Sequence, residues 1–65
     1  MERMKKMPWT KNDYPASMKN LDTDVREKAI EIANALVQEE HYEDGKAIPI
    51  AIDKAREYVE NHEND

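Results

Sequence analysis

Val25-Arg26-Glu27-Lys28-Ala29-Ile30-Glu31-Ile32-Ala33-Asn34-Ala35-Leu36-Val37 is the stretch that decides the fold. Val25, Ala29, Ile32, Ala33 and Leu36 follow one another at spacings of four, three, one and three, which stacks them on one side of a helix of 3.6 residues per turn. Ile30 and Val37 widen that stripe. The pattern predicts a helix from Thr23 to about Glu40. Asp22, Thr23 and Asp24 are all capping types at its start, and Asp24 with Glu27 loosely fits a capping box. Early acids also suit the positive end of the helix dipole. The apolar rhythm stops within residues 38–45, where the chain's only glycine, Gly45, marks a short loop.

Ile48, Ala51, Ile52, Ala55, Tyr58 and Val59 repeat the same spacing and predict a second helix from Asp44 or Gly45 to about Asn61. Pro49 opposes this reading, because proline lacks an amide hydrogen and its ring collides with the carbonyl four residues back. Near the start of a helix it removes at most one early hydrogen bond. The alternation Ile48, Ile50, Ile52 resembles a strand, but it is short, has no partner strand and runs on into Ala55, Tyr58 and Val59. The fold class is therefore all-α, an antiparallel helical hairpin over about 23–40 and 45–61.

Two amphipathic helices cannot enclose a core alone. Met7, Trp9, Tyr14, Met18 and Leu21 supply large apolar surface ahead of them, and residues 15–20 can form a short helical turn that starts at a proline. This N-terminal arm is expected to cover the groove of the hairpin, with Trp9 as part of the core. Residues 7–61 then form a single small domain, with residues 1–6 a disordered extension and 62–65 a frayed acidic tail.

A chain of 65 residues buries only roughly 60% of the surface it exposes when unfolded. It has no cysteine, so neither a disulfide nor a thiolate zinc site can reinforce the core, and helix packing or self-association must do so. The apolar runs fall well short of the ~20 residues that span a bilayer. The basic start is followed by Pro8, Trp9, Lys11 and Asp13 instead of the apolar run of a signal peptide, which predicts a cytoplasmic protein without membrane insertion. The net charge of -5 is unevenly divided: residues 1–28 carry seven basic residues against five acids, residues 29–65 three against ten. An acidic second half repels phosphate backbones and disfavours nucleic acid as a partner.

The run Met7-Pro8-Trp9-Thr10-Lys11-Asn12-Asp13-Tyr14-Pro15-Ala16-Ser17-Met18-Lys19-Asn20-Leu21, followed by Val25 to Leu36 and by Gly45-Lys46-Ala47-Ile48, resembles the YdaT-like group of small uncharacterised bacterial proteins. The resemblance covers nearly everything after Lys6. It implies a helical fold and bacterial relatives, and no activity. The chain departs from the group's pattern at Asp22, where proline is usual, at His41, near a helix-ending glycine, and at Pro49, where a helix former is expected. The group's start falls at Met7, which makes residues 1–6 an extension or an upstream start. Residues 13–19 are also distantly similar to the opening of ChaB, described as a putative cation transport regulator.

Candidate chemistry is sparse. His41 lies among Glu39, Glu40, Glu43 and Asp44, but the spacing matches neither a calcium loop nor a zinc motif. Asp13, Glu31 and Asp53 have no second convergent group to make them acids or bases, and Ser17 has no histidine or lysine at a suggestive spacing. A chain with one glycine has no phosphate-cradling loop. The sequence predicts no catalytic residue, no cofactor and no metal. It predicts instead an interaction or adaptor module that binds a protein partner or a second copy of itself, through Trp9, Lys11, Tyr14, Lys19, Tyr42 and Tyr58. The alternatives are a nucleic-acid-associated regulator with Arg3, Lys5, Lys6, Lys11, Lys19, Arg26 and Lys28 as its basic face, and a ChaB-like effector of cation transport.

Overall fold

The helical periodicity read from the sequence is realised as two packed α-helices, α1 (Thr23–Gln38) and α2 (Asp44–Glu63), preceded by a 3-10 turn at Ala16–Met18. The computed structural model describes residues 8–63, so the expected extension 1–6, Met7 and the last two residues of the expected tail lie outside the described residues. No strand occurs among the described residues, where a single bridge joins Thr10 and Asp13. The hairpin is as expected. α1 ends two residues earlier than its pattern predicts and α2 runs two residues beyond Asn61, the usual uncertainty of helix ends.

Alanine dominates the contact between the helices. Ala29 and Ala33 on α1, and Ala47, Ala51 and Ala55 on α2, are completely enclosed. Their spacing of four residues makes a ridge of small side chains on each helix, which lets the backbones approach closely and favours helix formation in its own right. The larger side chains flank this seam: Val25, Ile32, Leu36, Ile48 and Ile52 are partly buried against it. Two details of the expected stripes are corrected. Ile30 is buried while Ile32 is only half-buried, so the inner face of α1 is centred on Ala29, Ile30, Ala33 and Asn34. Tyr58 is 43% exposed and therefore lies at the edge of α2, outside the core.

The arm covers the hairpin as expected, though a different residue anchors it. Met18 is wholly buried, while Trp9, Tyr14 and Leu21 pack against the core half-buried. Pro15 sits extended ahead of the 3-10 turn, its carbonyl accepting from the Met18 amide at 2.9 Å, and the Met18 carbonyl in turn accepts from Leu21 at 3.2 Å. This tight geometry points Met18 inward. The guanidinium of Arg26 donates to the Leu21 carbonyl at 3.0 Å and fixes the entry into α1.

The expected capping box does not form. Asp22 is the N-cap, its carbonyl accepting from the Arg26 amide at 2.8 Å, but its side chain makes no capping hydrogen bond. Asp24 lies inside the first turn, where its helical backbone prevents it from capping and its charge serves the dipole instead.

The end of α1 explains His41. The Leu36 carbonyl accepts from the Glu40 amide at 3.2 Å and the Tyr42 amide at 3.0 Å, which requires the chain to reverse at His41 with φ 63. The left-handed region belongs here to His41, whereas Gly45 sits in the first turn of α2, where an added Cβ would meet nothing. A side chain in that region is strained, and glycine is the residue that fits it. His41→Gly is expected to raise stability by on the order of 1 kcal/mol, read from the urea midpoint, with His41→Ala giving no gain. A midpoint that falls in the glycine variant would contradict this account.

Pro49 is accommodated because of where α2 starts. The helix opens with the Lys46 and Ala47 amides donating to the Glu43 carbonyl at 3.0 and 2.9 Å. Pro49 forgoes one bond, to the carbonyl of Gly45, and both residues are exposed, so water can satisfy that oxygen.

Candidate functional site: a groove between the arm and α1

A tight turn builds one bank of a concavity beside α1. The Thr10 amide donates to the Asp13 carbonyl at 2.9 Å, the Asp13 amide returns to Thr10 at 3.1 Å, and the Asn12 amide reaches the Thr10 hydroxyl at 3.3 Å. Lys11 is exposed at the corner of this turn. Asn34 ties the turn to α1. Asn34, 5% exposed, accepts from the Trp9 amide through Oδ1 at 3.0 Å and donates through Nδ2 to the Trp9 carbonyl at 3.0 Å. An amide side chain thus pairs with the arm as a neighbouring strand would, satisfying both polar groups of the Trp9 backbone.

Between this bank and α1 lies a groove of about 470 Å³. Trp9, Ile30 and Ala35 contribute apolar lining, and Lys11, Glu27, Glu31, Gln38 and Glu39 contribute polar and charged lining. Lys28 donates to Glu31 at 2.8 Å and lies 4.1 Å from the centre of the Tyr58 ring, so it joins α1 to α2. The hydrogen bond and charge of Glu31 hold its ammonium above the ordinary value of 10.5, a pull that outweighs the opposing desolvation.

The six side chains expected to form an interaction surface are dispersed. Trp9 and Lys11 meet at the groove. Tyr14 packs on the core with the Arg26 guanidinium 5.2 Å from its ring centre, Lys19 is exposed beside the 3-10 turn, Tyr42 is 39% exposed in the link between the helices, and Tyr58 lies against Lys28. None of these four lines the groove. Of the basic face considered for nucleic acid, Arg26 and Lys28 are engaged within the fold, Lys11 and Lys19 are exposed, and Arg3, Lys5 and Lys6 lie outside the described residues. Among the described residues no three His, Asp or Glu side chains converge as a metal site requires, and His41 is exposed. No described helix is long and apolar enough to cross a membrane.

Sequence reasoning missed Asn34, Glu27 and Glu39. The available signal was a polar residue on the apolar stripe: Asn34 follows Ile30 by four and Ala33 by one, a place that a polar side chain takes only with a partner.

Comparison with known proteins locates the chain among its relatives. It is 59% identical over 59 residues to the uncharacterized protein YdaT of Bacillus subtilis (strain 168). Over that stretch the chain is similar to YdaT. The match takes in 91% of this chain and 39% of the relative, so the chain spans well under half the length of the curated protein it matches. No protein-family model matches the chain, and no solved structure matches it. The YdaT-like resemblance thus stands, while the distant likeness to ChaB finds no support in these comparisons.

Proposed function

We propose that this YdaT-like chain is a non-catalytic interaction module whose working surface is the groove between the arm and α1. The observation that carries the reading is the Asn34 clamp on Trp9. A buried amide holds an extended segment against a helix so that an open concavity with apolar lining persists beside it, and pre-formed concave apolar surfaces of this size are where proteins receive ligands and partner segments. The ionisable side chains at its edge are exposed carboxylates and one lysine, which suit recognition of charge more than proton transfer in an enclosed site.

A photo-crosslinking amino acid placed at Lys11, at the edge of the groove, tests this in the cells that make the protein. A discrete adduct is expected from Lys11, none from Lys54 on the exposed face of α2, and loss of the adduct when Ala35→Lys fills the groove. Equal labelling at both positions, insensitive to Ala35→Lys, would remove the groove from consideration.

A further inference from the structure

We infer that the occupant of this groove is a cationic peptide segment, an apolar anchor flanked by lysine or arginine; the inference rests on the interaction reading above and specifies its partner. Three carboxylates, Glu27, Glu31 and Glu39, stand around the groove against one ammonium, Lys11. Lys28 already pairs with Glu31 at 2.8 Å, which leaves Glu27 and Glu39 as the carboxylates facing an incoming chain. They are twelve positions apart along α1 and its C-cap, about 18 Å at the rise of a helix, and an extended peptide covers that span in about five to six residues. Ile30 and Ala35 fall between them along α1, and Trp9 lines the same groove. The complementary ligand therefore carries two cations about five residues apart with apolar side chains between them.

A second copy of this chain is favoured less by charge, because each copy carries a net charge of -5 and self-association works against that overall repulsion. The Asn34 side chain holds the Trp9 backbone and with it the turn that carries Lys11, whose charge repels a badly registered cation and favours one direction of the peptide.

The test is fluorescence anisotropy of the full chain with the labelled hexapeptide Lys-Ser-Leu-Leu-Ser-Lys at low salt, with Trp9 emission as a second signal. Binding is expected. The Glu27→Gln/Glu39→Gln variant, altered only at exposed positions, should weaken it about three- to tenfold, and Ala35→Lys should weaken it at least as much, while circular dichroism shows the helices intact. Glu-Ser-Leu-Leu-Ser-Glu and Lys-Ser-Ser-Ser-Ser-Lys should bind weakly or not at all. Equal binding of the glutamate peptide, or an affinity unchanged by the double glutamine variant, overturns the inference. Absence of lysine-peptide binding also overturns it, and equilibrium sedimentation then separates the two levels of the argument. A dimer abolished by Ala35→Lys makes a second copy the occupant and preserves the interaction reading; monomer at all concentrations, together with no groove-specific crosslink, removes both.

Discussion

Met18→Ala is expected to lower the melting temperature by about 10 °C or more and to leave a substantial unfolded fraction at ambient temperature. Met18 is the arm residue that is wholly enclosed among the described residues, and it packs on the alanine seam formed by Ala29, Ala33, Ala51 and Ala55. The seam itself has little side-chain volume, so the flexible methionine fills the space that two alanine-rich helices leave above their contact. Truncating a buried methionine costs about 2–5 kcal/mol, while a core of this size rarely supplies more than about 3–5 kcal/mol in total. One substitution thus approaches the whole stability. Met18→Leu, which conserves volume, is expected to cost less than about 1.5 kcal/mol. Circular dichroism at 222 nm during heating reads both variants; an alanine variant that melts within two degrees of the parent would show that the arm does not anchor the core.

Helix positions were legible because Val25, Ala29, Ala33 and Leu36 mark a period that only a helix satisfies, and Ala51, Ile52 and Ala55 repeat it. The need for a third covering element followed from the same amphipathicity. Which arm residue would be deepest was not legible, since apolar size favours Trp9 while the 3-10 turn at Ala16–Met18 is what directs Met18 inward. His41 and Gly45 illustrate a different limit. The composition places the chain reversal at the only glycine, but the requirement for positive φ is set by where the Leu36 carbonyl finds its donors, which falls at His41.

The groove was less legible than the fold for a related reason. Dividing charge between the halves of the chain assigned Glu27 to a basic half and Glu31 and Glu39 to an acidic one, although all three lie along one groove of α1. Linear charge asymmetry averages over helix faces, and recognition happens on faces. Tyr58 shows the converse: its place in a stripe is consistent with core, yet its ring is taken by Lys28 at the helix edge. Asn34 stood out as a polar residue on the apolar stripe, but its partner could not be read, because that partner is a backbone and a backbone leaves no trace in residue type.

Substitution of Asn34 separates the clamp from the core. Asn34→Ala deletes two hydrogen bonds of 3.0 Å that join α1 to a segment 25 residues upstream, and strands the amide and carbonyl of Trp9 in a part-buried setting. An unsatisfied buried group costs about 1–3 kcal/mol, so a loss of about 2–4 kcal/mol is expected, offset where water reaches the exposed side of the arm. Asn34→Asp is the sharper variant. Its carboxylate still accepts from the Trp9 amide, but an oxygen replaces the amino group that donated to the Trp9 carbonyl, so burial and the facing oxygen raise its folded pKa above the unfolded value of about 3.9. The proton restores a donor. The stabilising interaction is therefore fully present below the unfolded pKa and lost as pH rises through the folded one, so the deficit of Asn34→Asp relative to the parent should shrink as pH is lowered from about 7 to about 4, whereas that of Asn34→Ala stays constant. Urea titrations across that range measure it. Emission of Trp9, the only tryptophan, reports arm release directly and should shift to the red in Asn34→Ala at urea concentrations where the helical signal persists. If the two probes instead move together and Asn34→Asp shows no pH recovery, the clamp is an incidental contact and the groove it maintains loses its structural basis.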